Sequence, residues 1–135
     1  MIIELLIPGE PQGKLRARVS KFGAYTPKKT VNYETYIKEL FVIKYPDFIP
    51  LAGALIIELM AWLTIPKSTS KKRRGLMLKK IIRPTKRPDV DNILKTSMDA
   101  LEGLAFKNDN QIATVLASKF YSDQPRLEIT IERVL

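Results

Sequence analysis

Between Pro66 and Pro88 the chain runs through residues 67–87 with ten lysines and arginines and no aspartate or glutamate. A stretch like this cannot be buried, because cations taken out of water without partners are too costly. The core must therefore come from the segments on either side. Ile2 to Ile7 reads as a first strand, stopped by Pro8-Gly9 and Pro11. Tyr33, Tyr36, Ile37, Leu40 and Phe41, with the stem of Lys44, share one side of a helix that Tyr45-Pro46 ends. The run Ala54 to Ile65 is bracketed by Pro50-Leu51-Ala52-Gly53 and Pro66, which favours a buried strand over a helix and assigns Trp62 to the core.

Beyond the basic segment, Pro88 introduces a helix from about Asp91 to Glu102. Its core stripe is Ile93, Leu94, Ser97, Met98 and Leu101, and Gly103 stops it. Ile112 to Tyr121 reads as a strand, and Asp123 to Arg126 suits a hairpin loop. The last strand alternates Leu127, Ile129 and Ile131 inward with Glu128, Thr130 and Glu132 outward. The order β-α-β-(basic lobe)-α-β-β predicts a single small α+β (mixed α/β) domain over residues 1–135, with helices packed on a small mixed sheet. Within the lobe, Ser68, Thr69 or Ser70 can cap a short helix through Leu76 and Leu78. The lobe as a whole reads as mobile, its order dependent on a partner.

Cysteine and histidine are both absent. That excludes disulfides, thiolate metal sites, cysteine nucleophiles, imidazole bases and the usual zinc clusters. Catalysis, if present, must run on carboxylates, Lys and Arg, hydroxyls or a metal held by oxygen. The formal charge of +9 points to a polyanionic partner, either nucleic acid or an acidic membrane face. The N-terminus has no basic lead, and the most apolar stretch, Leu51 to Ile65, contains Glu58 and is shorter than the roughly 20 residues a membrane helix needs. The expectation is a cytoplasmic protein with no membrane partner.

The charge is clustered. Lys14, Arg16, Arg18, Lys21, Lys28 and Lys29 form a second acid-free group, and together with residues 67–87 it holds sixteen of the 23 cations. Such clustering favours phosphate contacts over a merely solvated surface, with Lys14, Arg16, Arg18, Lys28, Lys29, Lys71, Lys72, Arg73, Arg74, Lys86 and Arg87 as the DNA-binding candidates. Phe22 and Tyr25 interleave with the first cluster and could either stack on an exposed base or anchor the loop.

At the end of the longest basic stretch stands Arg87-Pro88-Asp89-Val90-Asp91-Asn92-Ile93-Leu94-Lys95. In an extended segment Asp89 and Asp91 would face the same way, and the helix that follows puts Lys95 one turn above Asp91. Paired carboxylates repel unless a cation lies between them, and Mg²⁺ is held in this manner, by one or two carboxylates plus substrate phosphate. The same residues would also serve as helix caps, with Lys95 pairing with Asp91. Asp99 lies two turns above Asp91, about 12 Å away, too far to share a metal, and reads as a partner for Lys95 or a structural group. Asp109 lies past the helix, where the chain can fold back, though Asn108-Asp109-Asn110 is also simply a good turn.

The combination of Arg87-Pro88-Asp89-Val90-Asp91-Asn92-Ile93-Leu94-Lys95, Met98-Asp99-Ala100-Leu101 and Asn108-Asp109-Asn110-Gln111-Ile112 resembles the RusA family of small Holliday-junction resolvases, many of them encoded by prophages. Tyr25-Thr26-Pro27-Lys28-Lys29-Thr30 is similar to an N-terminal segment of its phage-type members, and Leu127-Glu128-Ile129-Thr130-Ile131 to its final strand. The resemblance implies that Asp89, Asp91 and Asp109 are catalytic, Mg²⁺-binding carboxylates and that Lys95 is an essential lysine. It further implies a homodimer that nicks opposite strands of four-way DNA junctions symmetrically, in DNA recombination and repair. Asn108 stands where many members carry a further acid, and Lys14-Leu15-Arg16-Ala17-Arg18 replaces a Gly-Arg-Pro-Arg type of loop. Two other readings use the same residues: a non-enzymatic basic nucleic-acid-binding protein, and a metal-dependent nuclease acting on RNA or other branched DNA.

Overall fold

In the computed structural model, which describes residues 2–135, the elements are β1 (Ile2–Pro8), β2 (Arg18–Ser20), β3 (Gly23–Tyr25), α1 (Lys28–Lys44), β4 (Leu55–Thr64), α2 (Lys71–Leu78), α3 (Val90–Leu101), β5 (Ile112–Ser122) and β6 (Arg126–Arg133). Strand alternation builds the core. Ile3, Leu5 and Ile7 of β1, Leu55, Ile57, Leu59 and Ala61 of β4, and Leu127, Ile129 and Ile131 of β6 all turn to one buried layer. From above, α1 adds Tyr33, Ile37 and Phe41, while α3 adds Ile93, Ala100 and Leu101, each at helical spacing.

The sheet order is β1-β6-β4-β5. The β1–β6 and β6–β4 pairs are antiparallel and β4–β5 is parallel. This is the small mixed sheet with helices that the α+β expectation describes. The parallel pair follows from the crossover: after β4 the chain returns through α2 and α3 to the end of the sheet where β4 began, and starts β5 there. With β4 paired on both sides, the free backbone edges belong to β1 and β5. Gly103, at φ 87°, turns the chain out of α3, and its N–H donates to the Phe106 carbonyl.

Three expectations change. Trp62 is not in the core, because β4 alternates and its even residues face the other side of the sheet. There Trp62 stacks on Phe120 at 4.6 Å, with the Arg126 guanidinium 4.5 Å above the indole. The basic lobe is folded onto β5 rather than left to a partner. Ser70 caps α2 by accepting from the Arg73 N–H, Met77 is buried, Arg83 lies 4.0 Å over the Phe120 ring and Lys80 lies over both rings. Aromatic faces thus supply the counterparts that the missing acids do not. Finally, the loop before α1 contains a hairpin, β2–β3, forming a two-stranded sheet of its own. Among the described residues, no helix is long and apolar enough to cross a membrane.

Candidate active site

The first turn of α3 is where the acidic pair lies. The helix begins one residue earlier than expected, so Asp89 occupies the N-cap in extended conformation (φ −71°, ψ 142°) and Asp91 the first turn. The Asp89 carbonyl accepts from the Asn92 and Ile93 N–H groups, but its carboxylate makes no capping bond. Capping is therefore not what the Asp89 side chain does here. Asp89, Asp91 and Lys95 are all exposed, and none of them forms an ion pair among the described residues. The helix N-terminus favours negative charge at this position.

Two features hold this corner in place, and neither stands out in the sequence. Gly13 lies against α3 so closely that a Cβ there would come within 3.1 Å of the Asn92 Cβ and 3.2 Å of the Pro88 Cβ. The next N–H, that of Lys14, donates to the Asn92 carbonyl at 3.1 Å, and Leu15 N–H donates to Thr30 Oγ1 at the start of α1. From the other side, the Lys119 ammonium on β5 donates to the carbonyls of Lys86 (2.8 Å) and Pro88 (3.0 Å). The only sequence signal for Lys119 is a lone cation interrupting an otherwise uncharged strand, Val115-Leu116-Ala117-Ser118-Lys119-Phe120.

Between the Gly13 loop and α3 opens a cleft of about 800 Å³, whose lining includes Glu10, Arg16, Lys29, Arg87, Asp89 and Asn92. Cations from three separate segments thus meet one of the paired carboxylates in a single concavity. Glu10 is already engaged, its carboxylate accepting from the Thr64 N–H and hydroxyl at the end of β4.

Lys14, grouped by sequence with the phosphate-binding cations, has an intramolecular partner instead: its ammonium pairs with the Asp99 carboxylate. That hydrogen bond holds the ammonium above the usual lysine range, against the opposing effect of burial. Asp99 is therefore the partner of Lys14 rather than of Lys95. Burial in turn pushes the neighbouring Glu34 carboxyl up, with Lys14 drawing it back. Arg18, Lys28, Lys71, Lys72, Arg73, Arg74 and Lys86 are exposed and free to meet a polyanion.

Asp109 lies elsewhere. The chain does not fold back after α3 but moves on to start β5, and the Asp109 N–H donates to Glu102 Oε1 at the far end of the helix. Twelve residues of helix, about 18 Å, separate that end from Asp89. Among the described residues, no group of three acidic side chains stands close enough to hold a metal ion. Asp109 sits in a 3-10 turn, Asp109–Gln111, that is firmly built. Asn108 accepts from the Asn110 N–H, while Gln111 accepts from the Asn108 N–H and donates to the carbonyls of Leu51 and Gly53. The Asp109 side chain remains exposed at the head of β5.

Over residues 8–132 the chain matches the family described as Endodeoxyribonuclease RusA. It belongs to the RusA family. The chain is also 34% identical over 133 residues to a protein of Bacillus subtilis (strain 168), "Uncharacterized protein YqaN", an alignment covering 97% of this chain and 92% of that protein. RusA membership makes the chain a nuclease of the endodeoxyribonuclease class and agrees with a fold that gathers cations beside the Asp89 carboxylate. For a RusA protein built like this, Lys119 is a positioning residue for the Pro88–Asp89 segment. Lys119→Met is expected to lower kcat for DNA cleavage by about ten- to a hundredfold, leaving Kd for DNA nearly unchanged. Equal losses in kcat and in binding, measured by single-turnover cleavage and filter binding, would show a direct DNA contact instead.

Proposed function

We propose that the protein is a Mg²⁺-dependent, structure-selective endodeoxyribonuclease that resolves four-way DNA junctions by paired nicks, acting in the cytoplasm in DNA recombination and repair. The observation that carries this reading is the pair Asp89 and Asp91, with no protein partner for either carboxylate, beside a cleft walled by Arg16, Lys29 and Arg87.

The donor set fits a hard divalent cation: carboxylate oxygens free of protein hydrogen bonds, at a helix N-terminus, with no histidine or cysteine in the chain. Asp89 and Asp91 would hold it. Such an ion, when bound, supplies a nucleophilic water and stabilises charge on the phosphate. The chain does the rest. Arg16, Lys29 and Arg87 bind the scissile strand's phosphates and orient them toward the carboxylates. Lys95, one turn above Asp91 with its ammonium unpaired, places positive charge where the phosphoryl oxygens gain negative charge. Lys119 keeps the Pro88–Asp89 backbone from shifting when DNA enters. Along the outer surface, Lys71, Lys72, Arg73 and Arg74 of α2 carry a junction arm through sequence-independent phosphate contacts.

Paired nicking needs two sites, and a two-fold homodimer supplies them. The β5 edge supports such a dimer. Its residues Ala113–Leu116 are exposed, uncharged and free of proline, with the bulge at Ala113, between the Leu55–Ile112 and Ile56–Thr114 pairs, as their one irregularity. Beyond them the edge is taken, since Arg83 donates to the Lys119 carbonyl. Antiparallel pairing of two β5 edges centred between Thr114 and Val115 sets Ala113 against Leu116 of the partner subunit. That register carries Asp109 to the level of Phe120 of the partner subunit, one residue beyond Lys119 of the partner subunit, whose side chain holds its own Pro88–Asp89 segment. In this arrangement Asp109 joins Asp89 and Asp91 across the dimer, which reconciles its place at the far end of α3 with a metal-binding role. The test is cleavage of labelled four-way junction by equal mixtures of variants, set out in the Discussion.

A further inference from the structure

The largest exposed aromatic surface of the protein lies outside the cleft, at the tip of the β2–β3 hairpin. Phe22 is 89% exposed and Val19 83%. Of the two aromatics expected either to stack on a base or to anchor the loop, Phe22 does not anchor it, and Tyr25 is itself 51% exposed. The hairpin pairs only with itself, Arg18 with Tyr25, Val19 with Ala24 and Ser20 with Gly23. The tip is nonetheless well formed. Ser20 Oγ accepts from the Phe22 N–H at 3.2 Å and donates to the Gly23 carbonyl at 3.3 Å, and Gly23 takes φ 110°, a value that a side-chain-bearing residue would adopt only with strain. The turn therefore fixes the backbone that carries Phe22 and leaves its ring turned to solvent.

Its surroundings say what would cover the ring. Lys21 holds its ammonium 5.1 Å from the ring centroid, Arg16 and Arg18 lead into the hairpin, and no acid occurs from residue 14 to residue 29. An apolar ring framed by cations matches a ligand that offers a π-face beside phosphates, namely a nucleobase that has left its stack. The hairpin's root is the same Gly13–Leu15 loop that is bonded to Asn92 of α3, and Arg16 lines the cleft beside Asp89. DNA seated in the cleft would therefore meet the hairpin.

We propose that Phe22 stacks on an unstacked base at the branch point, making the hairpin the element that distinguishes branched or single-stranded DNA from fully paired duplex. This rests on the endonuclease reading above and adds a residue that selects the substrate. Phosphate contacts alone bind all DNA alike, whereas a ring that needs an open π-face gains only where pairing is broken.

The test measures binding in EDTA, which prevents cleavage, for wild type, Phe22→Ala, Phe22→Tyr and Phe22→Trp on a four-way junction, a short single strand and a fully paired duplex. Because Phe22 touches no core residue, the alanine variant folds as wild type does, and the far-UV spectrum confirms it. Phe22→Ala should weaken junction and single-strand binding about fivefold to a hundredfold while moving duplex binding less than twofold. Phe22→Tyr should restore it, and the extra emission of Phe22→Trp over wild type should be quenched by the single strand. An equal loss on all three DNAs, no loss on any, or an unquenched Phe22→Trp would overturn the proposal. So would binding to anionic lipid vesicles that depends on Phe22 while DNA binding does not. If wild type binds none of the DNAs, the endonuclease reading falls and the proposal falls with it; wild-type binding without dependence on Phe22 removes the proposal alone.

Discussion

Asp91→Asn is expected to reduce cleavage of a four-way junction by two to three orders of magnitude or more, about what removal of one essential charge-stabilising group costs an active site. Junction binding should stay equal or tighten. The carboxylate lies in the first turn of α3, exposed and without a protein partner, so replacing it by the isosteric amide breaks no hydrogen bond or ion pair of the fold. It also removes a negative charge from a surface that must meet phosphates. The thermal midpoint should change little, since Asp91 contributes only a helix-dipole interaction that asparagine loses. Gel-shift and single-turnover cleavage on the same preparations separate the two effects. A folded Asp91→Asn that has lost binding in proportion to activity would assign the residue to DNA contact rather than to chemistry.

The second large effect concerns the two ends of α3. Asp89→Asn and Asp109→Asn should each be inactive alone, yet an equal mixture of the two, unfolded and refolded together, should regain about a quarter of wild-type nicking, because half of the dimers are mixed and each mixed dimer has one intact site. The reason is geometric. In a mixed dimer one site contains both altered residues, and the other contains Asp89 from one protomer with Asp109 from its partner. If both carboxylates served the same site within one chain, every site in the mixture would carry a defect and nothing would be regained. Mixing in Asp91→Asn instead of Asp89→Asn should give the same recovery, while Asp89→Asn with Asp91→Asn should give none.

How much of this was legible in the sequence depends on the range of the interaction involved. The strands were readable because alternation is local. Leu127, Ile129 and Ile131 turn inward as their spacing requires, and the stripe of α3 is buried at Ile93, Ser97 and Leu101. The pair Asp89 and Asp91 was readable for the same reason, as a short motif beside a proline and a basic run. Trp62 was misplaced because an apolar run does not reveal which parity faces the helices. Only the pairing of β4 with β5 and β6 sets Trp62 opposite Phe120 and Arg126. A count of acids leaves the basic lobe without partners because it misses aromatic rings, and the Lys80 and Arg83 contacts to Phe120 span about forty residues of chain. Gly13, Lys119 and the Lys14–Asp99 pair were invisible for a related reason, since each joins segments whose approach is decided by the sheet. The position of Asp109 was the hardest. A turn after a helix can double back or continue, and the run from Gly103 through Phe106, which tucks Ala105 and Phe106 into the core, commits it to continue.

The most direct measurement of the central claim is cleavage of end-labelled four-way junction by the purified protein, with Mg²⁺ and with EDTA, beside plain duplex and single strands of the same sequence. Nick positions are mapped on all four strands. Paired nicks at symmetric positions in opposing strands of the junction, absent with EDTA and absent from duplex, are the predicted result. Tight, salt-sensitive junction binding with no nick at any protein concentration, or nicks that appear equally on duplex or persist in EDTA, would contradict it.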